Sequence, residues 1–213
     1  MSYLDEYAEE IKEKFWKTKC SRFNAARRLE TQYLLSVTSI SIISVLCIAI
    51  SIIQNTLDLS SCPNINTSYT LLSILFSIFI LVLSLLEGSK NYQVKADRLH
   101  NNAIDISIVY EKIIYLQKCR MHKNNNANFK QIEQQINKIT QEYNSIIKSC
   151  SENHTVDDYS LMKAQYYKDF NYNICQSLLM RIWLGIKYYW IYLSLSFFVL
   201  FTLYKLYFAC PIR

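Results

Sequence analysis

Apolar residues recur along this chain in two rhythms. From Leu34 to Ile53 they form a nearly continuous run, LLSVTSISIISVLCIAISII, with no charge and no helix breaker. As a helix rising ~1.5 Å per residue, that run reaches the ~30 Å of a hydrocarbon core. A second run, Tyr69 to Leu86, is equally free of charge. Neither reads as a signal peptide: the first begins too far into the chain and is too long, and no small-residue cleavage site follows it. The connector between them, QNTLDLSSCPNINTS, carries Pro63 and neither Lys nor Arg.

Elsewhere the apolar positions return at steps of three and four, the mark of a one-sided helix. Leu4, Ala8, Ile11, Phe15, Phe23, Ala26 and Tyr33 make a heptad-like stripe before the first run. Acids gather in its first turns (Asp5, Glu6, Glu9, Glu10) and bases later, which suits the helix dipole. After the second run come Leu99, Ala103, Ile106, Tyr110 and Ile113, then the polar break MHKNNNAN, then Phe129, Ile132, Ile136, Ile139, Tyr143 and Ile146. Two such stripes around a short polar turn predict an antiparallel helical hairpin. Each has one apolar seam, so partner helices from this chain or a neighbour must cover it. SENHTVDDY interrupts the pattern before a last helix carrying Leu161, Ala164, Tyr167, Ile174 and Leu178.

That helix leads into a third apolar stretch, Tyr188 to Tyr204, with Lys187 and Lys205 at its ends. Lysines so placed can snorkel, and Trp183, Tyr189, Trp190 and Tyr207 resemble interfacial belts. The stretch is read as a third, C-terminal span, against the alternatives of a helix on the membrane surface or packed on the hairpin. A span would put Cys62 and Cys210 on the same oxidising face.

Composition removes other fold classes. Two glycines and two prolines among 213 residues are too few for the turns of a β-rich protein. The expected fold is an all-α membrane protein: a transmembrane helical hairpin, a cytoplasmic helical bundle or hairpin, and the third C-terminal transmembrane helix. Its parts are an amphipathic cytoplasmic helix over 1–33, the hairpin over 34–87, a cytoplasmic helical domain over 88–181 and a hydrophobic segment over 182–213. The dominance of Leu, Ile, Tyr, Asn, Lys and Ser is that of an AT-rich, bacterial genome.

Charge sets the orientation. Lys14, Lys17, Lys19, Arg22, Arg27 and Arg28 precede the first span, and Lys90, Lys95 and Arg98 follow the second. With no base in the connector, both outer ends are expected in the cytoplasm. The net charge of +6 follows from the same asymmetry or from an anionic partner. The seven cysteines form no CxxC pair and no histidines cluster, so no zinc site is expected and the thiols are read as free.

The order of features resembles the SLATT family of two-transmembrane bacterial proteins associated with nucleotide-synthesising and nucleotide-sensing conflict systems. The resemblance is carried by FWKTKCSRFNAARRL (Phe15 to Leu29), the uncharged hairpin and LLEGSKNYQVKADRLHNNAIDI (Leu85 to Ile106) directly after it. ENHTVDDY (Glu152 to Tyr159) is similar to the ENH…DY signature of one branch. It implies a membrane effector of anti-phage or abortive-infection systems in the bacterial inner membrane. Its hairpins would assemble into a homo-oligomeric pore, such as a tetrameric ring, controlled by a nucleotide second messenger or oligonucleotide. The third apolar segment departs from a strict two-span plan.

Candidate chemistry is sparse. At 100° per residue, Ser73, Ser77, Ser84 and Gly88 fall within about 60° of one another. Ser36, Ser44, Cys47 and Ser51 make a wider stripe on the first span. These stripes are either the weakly polar wall of a pore or small-residue seams for tight helix packing. Glu87 ends the second span as an acidic ring at a pore mouth or as an anchor paired with Lys90. Arg22, Arg27, Arg28, Lys95, Arg98 and His100 are the candidate nucleotide-binding set; topology-setting and lipid contact account for the same residues. Glu152, Asn153, His154, Asp157, Asp158 and Tyr159 invite a metal or acid–base reading, but an Asp or Asn cap at the start of the last helix explains most of them. No phosphate-cradling glycine loop, catalytic dyad or cofactor motif appears, so no enzyme, cofactor or metal is expected, and duplex nucleic acid is not an expected partner. A non-conducting anchor that recruits a cytoplasmic protein is the alternative function.

Overall fold

The computed structural model describes residues 3–56, 63–122 and 129–209. Cys62, Cys210 and most of the polar break MHKNNNAN lie outside the described residues. Six helices follow one another, and no strand occurs among the described residues: α1 (Tyr3–Thr56), α2 (Pro63–Ser89), α3 (Tyr92–His122), α4 (Phe129–Ser149), α5 (Val156–Gln165) and α6 (Ile174–Ala209). They form two compact units. One contains residues 1–30 and 93–184; the other contains 31–92 and 185–213.

In the first unit the seams of α3 and α4 are covered by the N-terminal part of α1. Ala8, Ile11 and Phe15 meet Ile106, Val109 and Ile113 of α3 and Ile136 and Tyr143 of α4, all nearly inaccessible to solvent. Phe15 stacks on Tyr143 with ring centroids 4.1 Å apart. The Tyr143 hydroxyl donates to Thr18 Oγ1 at 3.0 Å, so the buried phenol keeps a partner. The third helix that both seams require thus comes from the same chain.

The last helix expected from the sequence is two helices. α5 ends at Gln165, and the chain turns through Asn171, whose φ of 54° places it in the left-handed region. It restarts where Asn173 N–H donates to Gln176 Oε1 at 3.1 Å and the Asn173 carbonyl accepts from Ser177 N–H. Asn173 and Gln176 stand three apart, the spacing of a capping box. The apolar spacing on either side hid this break because it continues at helical steps.

In the second unit, α1 presents Gln32, Ser36, Ser39, Ile43, Leu46 and Ile50 as one buried seam at alternating steps of four and three. Ile43 and Leu46 pack on Ile80 and Leu83 of α2 and on Leu195 of α6. Ile50 packs on Phe76, which meets Phe198 edge to face at 6.0 Å. Stretches long and apolar enough to cross a membrane lie within Tyr3–Ile52 and Thr70–Cys119. Of the second, only 6% is buried inside the chain, so its apolar surface faces outward.

Candidate functional site

The helical unit holds a buried polar cluster where α1, α3, α5 and the α4–α5 link converge. Its position follows from the seam of α1. Arg22 stands seven residues after Phe15, one heptad along the same face, and is 2% exposed. Its Nη1 donates to Asn102 Oδ1, and Asn102 Nδ2 donates to the Ile146 carbonyl at 2.7 Å. Burial pushes Arg22 below the ordinary arginine value, opposed by the neighbouring Cys150 and Tyr143; a guanidinium still remains charged near neutrality.

Arg28, on another face of α1, grips Asp158 of α5 through two bonds. Nε reaches Oδ1 at 2.8 Å and Nη2 reaches Oδ2 at 3.0 Å. Asp158 is also the third residue of α5. Thr155 caps that helix: its Oγ1 accepts from Asp158 N–H, while Asp158 Oδ2 accepts from Thr155 N–H at 2.8 Å. One carboxylate therefore closes a capping box and neutralises an arginine. Asn24 extends the contact, donating to the Asp158 carbonyl at 3.3 Å and to Gln165 Oε1 at 3.0 Å.

His154 lies half-buried on the non-helical link before Thr155. Burial, then the Arg22 charge, pushes its pKa below the ordinary histidine value, with Asp158 acting in the opposite direction. Among the described residues, its Nδ1 and Arg22 Nε are buried side-chain nitrogens without a hydrogen-bond partner.

The other sequence candidates are spread more widely. Arg98 is exposed and donates to Ser151 Oγ at 3.4 Å, while Cys150 Sγ approaches the Arg98 carbonyl at 3.9 Å. His100 is exposed and meets Phe23 edge to face at 5.4 Å. Arg27 is exposed and Lys95 half-buried. Arg22 and Arg28 thus enter the interior, whereas Arg27, Arg98 and His100 stay at the surface. Among the described residues no three of His, Cys, Asp and Glu gather as metal ligands.

In the second unit the serine candidates divide by exposure. Ser36 is 3% exposed on the intrachain seam. Ser44, Cys47, Ser51 and Ser73 are half-buried, and Ser77 and Ser84 are exposed. Ser44, Ser51 and Ser77 each return the hydroxyl proton to the carbonyl four residues back, at 2.8–2.9 Å, which satisfies it without water. Glu87 is held at both oxygens: Lys90 Nζ donates to Oε1 at 2.6 Å and the Tyr192 hydroxyl to Oε2 at 3.3 Å.

Sequence reasoning singled out Arg22, Arg28, His154 and Asp158 but not their pairing. One signal for Arg22 was available, since a charge on the apolar seam of a heptad stripe must be buried. Comparison with known families matches residues 4–208 to the SMODS and SLOG-associating 2TM effector domain family 5. Comparison with curated proteins and with solved structures finds no match.

Proposed function

Since the chain belongs to the SMODS and SLOG-associating 2TM effector domain family 5, we propose that it is the membrane effector of a bacterial anti-phage, abortive-infection system. It works as a homo-oligomeric pore whose opening is controlled by a nucleotide signal and depolarises the inner membrane. The observation that carries this reading is the bareness of α2. Leu71, Ile74, Leu75, Ile78, Leu81, Val82 and Leu85 are all exposed, and Ser77 and Ser84 form a polar strip among them. Lipid suits the aliphatic faces but offers no donor to the serine oxygens. These keep acceptor capacity even where, as at Ser77, the proton is bonded within the helix. Copies of the chain arranged around an axis would turn that strip toward water.

The basic flanks support a cytoplasmic N-terminus and helical unit, where a nucleotide is available. Tyr188 to Tyr204 lies inside the continuous helix α6, where Leu195 packs on Ile43 and Leu46, and this supports reading it as the third span. In the helical unit, α6 also exposes Ile174, Leu178 and Ile182 at steps of four, a stripe suited to a neighbouring subunit. No catalytic step is assigned to the protein.

Purified protein in planar bilayers should give discrete conductance that changes with cyclic dinucleotides or short oligonucleotides. Silence across both ligand classes would reject the pore. Two contacts favour a second reading, a non-conducting anchor: Ser36 is consumed by intrachain packing, and Glu87 is tied to Lys90 and Tyr192. Replacing the hairpin with an unrelated one separates the two, because only an anchor keeps its function after the exchange.

A further inference from the structure

The buried cluster of the helical unit is electrically incomplete. It contains two arginines, Arg22 and Arg28, and one buried carboxylate, Asp158. Arg28 takes both oxygens of Asp158, and Thr155 adds further bonds to Oδ2 from its N–H and its hydroxyl, each at 2.8 Å. Among the described residues Arg22 forms no ion pair with that carboxylate. The neutral Asn102 is its hydrogen-bond acceptor, and no acidic side chain pairs with it among the described residues. A guanidinium 2% exposed without an anion is a costly arrangement unless an anion arrives.

Two buried nitrogens mark where it would arrive. Arg22 Nε and His154 Nδ1 both lack a partner, on side chains close enough for the charge of one to act on the other. An oxyanion between them would accept one bond from Nε–H and another from protonated Nδ1. The groups that bear on His154 are Arg22 from α1 and Asp158 from α5, the latter already paired with Arg28. His154 belongs to the non-helical link Cys150–Thr155, which lies outside the helical core around Phe15.

We propose that Arg22 and His154 form a binding site for a phosphate group, the anionic part of the nucleotide that controls this protein. The site deepens the nucleotide-controlled reading and rests on it. Binding is coupled to a proton. Free His154 is held neutral by burial and by Arg22, and an anion beside it reverses the second influence, so phosphate enters together with a proton.

The full chain in nanodiscs of zwitterionic lipid is titrated with inorganic phosphate and with cyclic di-AMP, in buffers of different ionisation enthalpy. The expected result is binding with proton uptake that shrinks as pH falls below the ordinary histidine range. His154→Asn should abolish the uptake, and Arg22→Gln should weaken binding about tenfold or more, the scale of one charge-assisted hydrogen bond. Arg22→Gln should also leave the melting temperature of the ligand-free protein unchanged or raised, because an unpaired buried charge has gone. A merely structural arginine would lower it. Nanodiscs containing phosphatidylglycerol form a second arm: a shift of the His154 ring resonances there, without added phosphate, assigns the same chemistry to a lipid headgroup. Full affinity in Arg22→Gln, or absence of binding from both arms, overturns the site. Conductance that responds to cyclic di-AMP unchanged in both variants rejects the site and keeps the pore. Phosphate binding without conductance does the reverse.

Discussion

Arg28 and Asp158 are 130 residues apart in the chain and meet in a two-bond fork, with the Asp158 side chain 1% exposed and that of Arg28 13% exposed. This pair fastens α5 to α1. Removing the carboxylate leaves Arg28 without its anion and Thr155 without half of its capping box. Asp158→Ala is therefore expected to destabilise the helical unit by about 3–5 kcal/mol, the range for breaking a buried pair at one partner. Arg28→Met together with Asp158→Leu should recover part of the loss, read by denaturant titration of the protein in detergent.

Phe15 tests the bundle itself. Its ring is 1% exposed and stacked on Tyr143. Phe15→Ala should cost about 3–5 kcal/mol through lost burial and a cavity. Phe15→Leu should cost less. Trp16, on the neighbouring face against Tyr166 at 4.8 Å, supplies the fluorescence signal for unfolding.

His154 gives the helical unit a pH dependence of known sign. Its folded pKa lies below the ordinary histidine value, so the unfolded chain binds its proton first. Stability is full above the ordinary value, declines as pH falls below it, and levels off once folded His154 is also protonated. Melting temperatures between pH 4 and 8 should show this step. In His154→Gln its amplitude should shrink.

Orientation can be read from a native thiol. Cys62 lies in the connector that lacks Lys and Arg, whereas Cys150 belongs to the helical unit. A membrane-impermeant maleimide applied to spheroplasts should label Cys62 and spare Cys150 until the membrane is opened. The opposite order would invert the topology.

The serine strip makes a positional prediction about the pore. Ser77→Cys and Ser84→Cys, both exposed, should react with a charged thiol reagent applied to open channels and lower their conductance. Ser36→Cys, at a buried position, should be silent, as should Ile74→Cys on a lipid-suited face. Equal reactivity at Ser77 and Ile74 would rule out α2 as a wall with a defined inner face.

What the sequence displayed was faces. Uncharged runs marked the hairpin, and the steps of three and four marked Ile106, Ile113, Ile136 and Tyr143 as core. Periodicity identifies a buried side but carries no information about which helix covers it, so the role of α1 as the third member of the bundle was illegible. The break before α6 was hidden because Tyr167 and Ile174 keep helical spacing across a turn made by Asn171. The cap at α5 was expected on an Asp or Asn; Thr155 takes it, with Asp158 answering from the third helical position. Arg22 and Arg28 looked alike as neighbours in a basic run. Only the folded chain separates them, one meeting a carboxylate and the other an amide.

The bundle also imposes an order in time. Thr18 waits for Tyr143, its hydrogen-bond partner, across 125 residues of chain. At the usual pace of synthesis that interval is on the order of ten seconds. By then the apolar run of α1 has been available to the insertion machinery, while Ala8, Ile11 and Phe15 still lack the helices that will cover them. The nascent chain thus presents an anchored but uncovered amphipathic helix at the membrane, and a chaperone, the lipid surface or a sister chain must shield it until α4 emerges.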